Sequence, residues 1–526
     1  MYNNINNIPA EKFKFANRSD MYHDSKFETK PVSYFKGAFQ RFCKNKGAVV
    51  AGIVIAVLIL FAIFGPMFTP FKPAYYDMSY AYVTPRCNLF ANSDINFWDG
   101  CKSKETNRVG YLKDLALALE TGREVIKNGD YEVSDDGSIY SYRYDTYYGV
   151  GFGKYKIISP EEFNAIQEYQ NETGRQILYP IVKASDRPSL EKNKYDANIY
   201  YEMENPKASV IRPKLDKKGN IVPNYWAYDP TDASALIAEY NSLRIEGEDG
   251  FEKNGTQYFY AYGRKLDGGI EVRAEYYEYY IYQHTRVLKD GIDEPTFLFG
   301  TTQTGKDIFA CLSYGARFSF IFATIVAVAN FIVGVIWGSI SGYYGGKTDL
   351  FMERITDILY AIPTIIVITL LKYHMGSSSQ VLVLFIAFFA TGWIGMSSVT
   401  RMQFYRFKNQ EYVLAARTLG ASDARIMFKH IFPNGLGTIV TKFALVIPAM
   451  IYSETSLSYL GIINLEAGNT TSVGTLIAAG QQSIIANAAY VAIFPCVFLV
   501  LLMLSFNLFG NGLRDAFNPS LRGTEE

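Results

Sequence analysis

The 526-residue chain has no excess charge of either sign, because 51 Lys and Arg residues balance 51 Asp and Glu residues. A chain without net charge has no overall electrostatic preference for nucleic acid. It has only five cysteines, and they do not stand at the spacings of a metal-binding site. The composition therefore indicates neither a nucleic-acid-binding protein nor a bound metal.

Apolar residues are concentrated at the two ends of the chain, and the middle is polar. About 20 apolar residues are enough for a helix to cross a bilayer. Six segments meet this requirement, and they cover residues 47–68, 318–343, 355–371, 381–399, 438–460 and 488–509. The sequence predicts an α-helical polytopic membrane protein with six transmembrane helices, of which the first is a retained anchor.

The distribution of Lys and Arg predicts the orientation of these helices. Residues 1–46 hold nine and residues 400–434 hold six, whereas residues 372–380 hold one and residues 461–487 hold none. Short cytoplasmic loops carry the excess of basic residues, so both termini are expected in the cytoplasm. The predicted parts are a cytoplasmic segment 1–46, a first transmembrane helix 47–70, an extracytoplasmic domain 73–296, a membrane core 297–515 and a cytoplasmic tail 516–526.

Residues 73–296, here called the insert, are rich in Tyr and acidic, with 27 Lys and Arg against 36 Asp and Glu. Helices are predicted at Tyr111–Lys127 and Ala233–Leu243 and after the capping serine of Ser159-Pro160. Strands are predicted at Gln257–Arg264 and Ile270–Val287, with hairpins at Asp267–Gly269 and Asp136-Gly137. We expect an inserted α+β domain, and its sequence contains no catalytic constellation.

Cys87 and Cys101 both fall in the insert, where an oxidising surrounding would permit a disulfide. A bridge that closes so short a loop would add about 3 kcal/mol of stability. The alternative is two unpaired thiols, because the geometry of the two positions decides whether a bridge forms. The two residues are the candidate disulfide of the chain.

Residues Gly300–Lys306 match most of a phosphate-binding Walker A loop. The next residue is Asp307, where that motif needs a Ser or Thr hydroxyl to hold magnesium, and a carboxylate would repel the phosphates. No apolar strand precedes the loop. The alternative, which we favour, is an amphipathic segment Phe297–Tyr314 that leads into the second membrane helix.

The most informative segment is the basic stretch 411–435, which lies between two apolar runs. Tyr412, Ala415, Ala416 and Leu419 recur at helical spacing and predict an apolar stripe that Gly420 ends. Ser422 or Asp423 can cap a second helix, which has Ile426, Met427 and Ile431 on one face and is stopped by Pro433. The segment is either an amphipathic pair on the lipid headgroups or a docking element for a cytoplasmic partner.

This stretch resembles the EAA loop of ABC-importer permeases, whose pattern is Glu-Ala-Ala, three residues, Gly, nine residues and Ile-x-Leu-Pro. Ala415, Ala416, Gly420 and Pro433 match that pattern. Leu414 stands at the glutamate position, His430 at the isoleucine position and Phe432 at the leucine position. The ATPase-coupling residues that the resemblance implies are Glu411, Tyr412, Ala415, Ala416, Leu419, Gly420, Ala421 and Pro433.

Further motifs resemble the C-type subunit of oligopeptide and dipeptide permeases. They stand in the expected order at Phe299–Asp307, Tyr314–Arg317, Ser341–Gly346, Glu454–Gly461 and Phe506–Asp515. The resemblance implies a bacterial plasma-membrane subunit that pairs with a second homologous permease. It also implies two ATPase subunits that bind ATP and Mg, and an external peptide-binding protein. By the same resemblance, the chain itself binds no cofactor and has no catalytic residue.

Polar residues inside the predicted spans are costly and point to function. Glu454 and Asn330 are the candidates for the translocation path, and local pairing is the alternative for Glu454. A glycine recurs at every fourth residue of the second predicted span, at Gly334, Gly338 and Gly342. Either this spacing lets another helix approach closely, or the glycines are only tolerated in a membrane helix without a packing role.

The function expected from these features is that of a permease subunit in an ABC importer of oligopeptides or dipeptides. One alternative is a permease of the same family for another solute, such as nickel or a glycan. The other is a membrane-anchored surface receptor, in which the insert would be the working part.

Overall fold

The computed structural model describes residues 34–90, 98–150, 155–182, 201–202, 204, 214–229, 231, 240–241, 250–375, 379–466 and 470–517. Residues 1–33 of the predicted cytoplasmic segment and 518–526 of the tail lie outside these ranges. The predicted helix Ala233–Leu243 lies mostly outside them as well. Its two described residues, Tyr240–Asn241, form a strand, so the helix prediction is wrong there.

Long apolar helices form the membrane part of the described chain. Five helices are long and apolar enough to cross a bilayer, and a bent pair of helices is either a broken sixth span or a re-entrant loop. Span one is Lys46–Met67, span two Ile308–Tyr344, span three the pair Gly346–Tyr360 and Thr364–Met375, span four Gln380–Phe407, span five Asp423–Tyr459 and span six Tyr490–Phe517. Each one contains one of the six predicted segments or overlaps it, so the described helices provide five spans, or six if the bent pair is one span.

Span three is broken near its middle. Its two helices end and begin on either side of residues 361–363, and they are bent by 69° relative to each other. Pro363 lies in this break, where its missing N–H and its ring prevent a continuous helix. Pro363 therefore accounts for the bend in span three.

Glycines bring spans two and four into close contact. A Cβ atom built on Gly334 would lie 2.7 Å from the carbonyl oxygen of Trp393, and one on Gly342 would lie 2.7 Å from Cβ of Phe404. One on Gly338 would lie 2.8 Å from Cβ of Thr400. Real Cβ atoms do not approach so closely, and only glycine therefore permits this packing. Of the two interpretations of the glycine repeat, close helix packing is confirmed.

Spans one and six pack side by side through a continuous apolar core. Leu58 of span one and Phe498 and Leu502 of span six are buried in a cluster that also reaches span two. The amphipathic helix Tyr34–Lys44 precedes span one and lies against the end of span six, where Arg41 Nε donates to the carbonyl oxygen of Ala516 at 2.9 Å.

The described part of the insert contains three antiparallel sheets. Its strands are β1 Cys101–Thr106, β2 Ile126–Val133, β3 Tyr140–Asp145, β4 Tyr155–Ile158, β5 Leu178–Tyr179, β6 Ala227–Tyr228, β7 Tyr240–Asn241, β8 Gly250–Lys253, β9 Thr256–Tyr260, β10 Gly263–Leu266 and β11 Gly269–Ala274. The strand orders are β1-β3-β2, β4-β11-β10-β7 with β5 also on β11, and β6-β9-β8. The hairpins predicted at Asp136-Gly137 and Asp267–Gly269 both form, as β2-β3 and β10-β11.

Two longer helices accompany these sheets, and capping residues fix where each helix begins or ends. Pro160–Thr173 begins at Ser159, whose hydroxyl accepts from the Glu162 N–H at 3.1 Å, as predicted. Arg108–Thr121 ends at Gly122, whose φ is 64°. The predicted continuation of that helix to Lys127 is wrong, because the left-handed glycine stops it and Ile126 begins β2.

The strand prediction for Ile270–Val287 is correct only as far as Ala274. Tyr276–Tyr282 is a helix, and Gln283–Leu288 continues it as a π-helical turn. The carboxylate of Glu275 accepts from the N–H groups of Tyr277 and Glu278, which starts the helix within a run of aromatic residues. The predicted strand Gln257–Arg264 is likewise divided between β9 and β10.

The insert packs directly on one end of the membrane part. Tyr80, Tyr147 and Phe297 form a buried aromatic cluster that includes Ala310, in the first turn of span two. Trp98 stacks near-parallel on Phe494 of span six, with ring centroids 6.1 Å apart. The insert is therefore in direct contact with spans two and six at this end.

The loop Gly300–Lys306 is a tight turn at the start of span two. Its backbone N–H groups donate within the protein: Thr301 to the Val83 carbonyl at 3.0 Å, and Lys306 to the Thr302 hydroxyl at 3.2 Å. Asp307 caps span two by accepting from the N–H groups of Phe309 and Ala310. These backbone N–H groups, which would bind a phosphate in a Walker A loop, instead donate to acceptors of the protein itself. The loop therefore agrees with the interpretation as a segment that leads into the membrane helix.

Candidate functional site

A short helix projects between spans four and five. It covers Glu411–Thr418 and is called the loop helix below. Gly420, with φ of 79°, follows its C-cap and turns the chain back in a left-handed conformation. The N–H of Ala421 donates to the Ala416 carbonyl at 3.1 Å and closes the turn. The predicted end of this helix at Gly420 is confirmed.

The loop helix has one buried face and one exposed face. Val413 and Ala416 are buried in a cluster with Tyr343 of span two, Phe404 of span four and Ile426 of span five. The exposed face carries Glu411, Tyr412, Leu414, Ala415 and Leu419. Leu419 is 87% exposed. The predicted stripe is therefore divided: Ala416 faces the core, whereas Tyr412, Ala415 and Leu419 face away from it.

The segment after the turn is fixed to span two. The hydroxyl of Tyr343 donates to Asp423 Oδ1 at 2.6 Å, and that of Tyr344 donates to Oδ2 at 3.2 Å. Ser422 occupies the N-cap position, but its side chain makes no capping hydrogen bond. Asp423, the other predicted cap, instead links the loop to the end of span two.

The second predicted helix of the loop is part of span five. Ile426, Met427 and Ile431 are buried, as predicted. The prediction that Pro433 stops this helix is wrong, because a π-helical turn at Ile426–Ile431 leads directly into Phe432–Tyr459. Pro433 lies at the first positions of that helix, where a missing N–H is tolerated. The loop is thereby joined to span five without a break.

A charged network joins the start of span three to spans two and four. Asp349 receives two hydrogen bonds from Arg401 of span four, from Nε and from a terminal nitrogen, each at 2.6 Å. The hydroxyls of Tyr405 and Ser341 also donate to Asp349. Sequence reasoning missed this pair because 52 positions separate its members, and only the lone Arg401 at the end of an apolar run hinted at it.

Replacing Asp349 with Asn is expected to lower the free energy of unfolding by about 2–3 kcal/mol, because the charge-assisted hydrogen bonds to Arg401 are lost. Arg401 keeps its ion pair with Glu353 at 3.1 Å, which limits the loss. Thermal unfolding of the purified chain measures this. The matched control is Asp357→Asn on the same span, whose exposed pair with Arg354 contributes little. Equal unfolding temperatures for the two variants would contradict the assigned role of Asp349.

Glu454 is buried at a junction of helices in the membrane part. Its carboxylate accepts from Ser319 of span two and from Ser458 of span five, each at 3.1 Å. A Cβ atom on Gly474 would lie 2.7 Å from Cα of Thr455, so the helix Val473–Ser483 packs closely beside it. Glu454 makes the local pairs that the sequence analysis gave as the alternative.

Asn330 is also buried, between spans two and four. Its side-chain nitrogen donates to the Phe388 carbonyl at 3.3 Å, and it lies against Gly392. A cavity of about 360 Å³ opens nearby between spans three, four and five. Neither Asn330 nor Glu454 lines it; its polar walls come from Thr364, Thr391, Tyr452, Ser453 and Ser456. Neither candidate therefore forms part of the cavity wall. Asn330 hydrogen-bonds Phe388, which does line the cavity, and the two serine partners of Glu454 do not.

Cys87 and Cys101, the candidate disulfide, are both free thiols, which was the alternative. Arg86 pairs with Asp99 in an antiparallel bridge, so Cys87 faces Trp98 and Cys101 lies three positions further along. An offset of three residues in extended chain is about 10 Å, beyond the reach of a disulfide. Burial, followed by the negative charges of Asp145 and Asp99, raises the pKa of the Cys101 thiol to about 12.

The fold and the loop together define a class of protein: a multi-pass helical membrane permease. The family described as the binding-protein-dependent transport system inner membrane component matches residues 334–523. The N-terminal transmembrane domain of oligopeptide transport permease C matches residues 33–85. The chain belongs to this family of ABC-importer permeases.

Individual relatives agree with this assignment. The chain is 40% identical to the oligopeptide transport system permease protein OppC of Bacillus subtilis over 254 residues, which are 48% of this chain and 82% of that protein. It is 39% identical to the dipeptide transport system permease protein DppC of the same organism over 224 residues, 43% of this chain and 69% of that one. These relatives are transporter permease subunits and not enzymes.

Among solved structures, a chain from inward facing conformations of the MetNI methionine ABC transporter is similar. The similarity has a TM-score of 0.32 and 18% sequence identity, and it covers 40% of this chain and 96% of that chain.

Proposed function

We propose that this chain is a transmembrane permease subunit of an ABC importer for oligopeptides or dipeptides. The observation that carries the proposal is the loop helix, which is held by a buried apolar face and presents an exposed apolar face with Leu419 at its tip. An exposed apolar surface on a well-supported short helix is suited to bind a partner protein. The substrate class comes from the names of the relatives, which are oligopeptide and dipeptide permeases.

The contacts of the loop suit it to transmit movement. Its inner face touches spans two, four and five, and Asp423 is hydrogen-bonded to the end of span two. A displacement of the loop by a cytoplasmic partner would therefore shift three spans together. We propose that this shift alternates access to the transport path.

The transport path is proposed to run along the cavity between spans three, four and five. Five hydroxyl-bearing side chains line this cavity in an otherwise apolar region. Glu454 and Asn330 remain the candidate buried polar residues of the path. In this arrangement they position the helices that carry the lining, because each hydrogen-bonds a neighbouring span.

The partners proposed from the family are a second homologous permease, two ABC ATPases and an external peptide-binding protein. ATP and Mg would be bound by the ATPases, and this chain would bind no cofactor. The location would be the bacterial plasma membrane, with both termini in the cytoplasm and residues 73–296 outside. The insert would help to dock the peptide-binding protein, a role that its acidic surface and its position support.

The first experiment is purification of the chain from its native membrane in mild detergent, followed by identification of copurifying proteins and a peptide-uptake assay. Recovery of a second permease and ATPases, with uptake of labelled dipeptide that unlabelled peptides inhibit, supports the proposal. Inhibition by nickel or glycans alone would favour a permease for another solute. A chain that purifies alone would favour the receptor alternative.

The role of the insert needs a separate experiment. Deletion of residues 80–290 should leave an inserted complex whose uptake of peptide at low concentration is reduced. Undiminished uptake by a correctly assembled deletion variant would remove the proposed docking role.

The orientation predicts a labelling pattern for two single-cysteine variants. Leu89→Cys places a reporter at an 86% exposed position of the insert, and the exposed Cys43 reports on the other side. In intact cells, a membrane-impermeant maleimide should label Leu89→Cys and label Cys43 only after permeabilisation. Labelling after denaturation gives the total thiol in each sample. The reverse pattern would place the insert in the cytoplasm.

A further inference from the structure

The insert contains a charged cavity of about 430 Å³ that has no part in the proposed transport path. It lies where β1, the end of β3, the turn after Gly122 and the helix Tyr276–Tyr282 converge. Its volume is within the range of about 300–1,000 Å³ that is usual for small-ligand sites. Such sites are mostly apolar, and this one is unusual because charged side chains make up most of its wall.

The charges in the wall are of both signs and nearly balanced. Four cationic residues line the cavity, namely Arg86, Arg123, Lys127 and Arg175. Five acidic residues line it as well, namely Asp99, Asp145, Glu124, Glu278 and Glu294. A wall of one sign would select a ligand of the opposite sign. A balanced wall favours a ligand that carries both charges.

The inner part of the cavity is fixed by ion pairs. Arg123 lies 2.9 Å from Glu275 and also contacts Glu278, and Lys127 lies 2.8 Å from Asp99. Burial alone would lower the pKa of Arg123, but the neighbouring Glu275 raises it above its usual value. These groups therefore form a rigid floor whose charges are already compensated.

The rim of the cavity is where a ligand can find charged partners. The side chain of Arg175 is 42% exposed, and its ion pair with Glu278 is long, with 3.3 Å between nitrogen and oxygen. Glu294 is an exposed residue of the same cavity wall and lies in irregular chain after the buried Ile292. A guanidinium can bind a carboxylate with two hydrogen bonds, and a carboxylate can accept from an ammonium group.

We propose that this cavity of the insert binds a zwitterionic ligand of the size of an amino acid or a dipeptide, with Arg175 on its carboxylate and Glu294 on its ammonium group. The inference goes beyond the proposed transport function, and it does not depend on that function. It assigns the insert a ligand-binding role of its own.

The test is equilibrium binding of L-alanyl-L-alanine to the purified full-length chain in detergent, measured by calorimetry. N-acetyl-L-alanine amide serves as the uncharged probe. The chain should bind the dipeptide saturably and the uncharged probe at least tenfold more weakly. Arg175→Gln and Glu294→Gln should each weaken dipeptide binding about tenfold or more, since each removes a charge-assisted hydrogen bond.

The matched controls are Arg286→Gln and Glu252→Gln, two exposed charges of the insert outside the cavity. Both should bind the dipeptide as the unchanged chain does. The inference is overturned if the unchanged chain does not bind the dipeptide, if it binds the uncharged probe equally, or if the cavity variants behave like the controls. Peptide uptake without this binding would overturn the inference and leave the transport function standing, and binding without uptake would do the reverse.

Discussion

Replacing Leu419 with Asp is expected to abolish peptide uptake while the chain still folds and inserts. Leu419 is 87% exposed at the tip of the loop helix, so a charge there disturbs no internal packing. If it is an anchor for an ATPase, truncating and charging it removes at least about 2 kcal/mol of binding free energy, or about thirtyfold in affinity. Uptake of labelled dipeptide and copurification of the ATPases measure the two consequences.

Leu89→Asp is the matched control for this variant. Leu89 is the same residue type at 86% exposure, but it lies in the insert. It should leave ATPase copurification and uptake unchanged, and both variants should unfold at the same temperature as the unchanged chain. Normal uptake by Leu419→Asp would show that the loop helix is not the coupling surface.

Replacing Gly338 with Leu is expected to prevent stable packing of span two on span four. A Cβ atom at this position already lies 2.8 Å from Cβ of Thr400, and three more carbons have no space in the helix contact. Overfilling a packed interior costs about 1–3 kcal/mol, and here two backbones must move apart, so the cost should reach the upper end of that range. The amount of chain recovered from membranes and its unfolding temperature measure the effect.

Gly395→Leu separates the effect of crowding from the effect of replacing a glycine in a helix. Gly395 lies in span four, and a Cβ atom there meets nothing within 4 Å. That variant should be recovered in normal amount and unfold at or above the normal temperature, since leucine favours a helix more than glycine does. Similar losses for both variants would refute the close contact of the two spans.

The membrane part could be predicted from the sequence because the bilayer imposes a simple rule on each span. An apolar run of about 20 residues has few alternatives to a spanning helix, and the fixed φ of Pro363 places the bend in span three. The glycine repeat at 334, 338 and 342 could also be interpreted, because its spacing places all three glycines on one face of the helix.

The insert was less predictable because its local signals compete. The run Tyr276–Tyr282 has residues that favour strands, but the side chain of Glu275 caps it as a helix and the tyrosines become buried against the sheet. The helix that begins at Arg108 ended early because Gly122 adopts a left-handed conformation, which a count of apolar spacings does not detect. Whether Cys87 and Cys101 can form a disulfide depends on which residues pair across the two segments, and the number of residues between the cysteines does not determine that pairing.

The candidate site was predicted in its location but not in its orientation. The motif placed the loop correctly, and Gly420 marked its turn. Which face of an eight-residue helix is buried depends on distant residues such as Phe404. Val413 was therefore overlooked, and the buried Ala416 was placed in one stripe with residues that are exposed. The bonds of Asp423 to Tyr343 and Tyr344 likewise join segments about 80 positions apart, and local spacing cannot reveal them.

Span two is a single helix from Ile308 to Tyr344, and its 37 residues correspond to a length of about 55 Å. Ala310 at one end is buried in the aromatic cluster of the insert, and Tyr343 at the other is buried against the loop helix. The helix has no proline at which it could bend. Span two therefore joins the insert to the loop helix as one unbroken helix, so a rigid tilt of span two would move both contacts together.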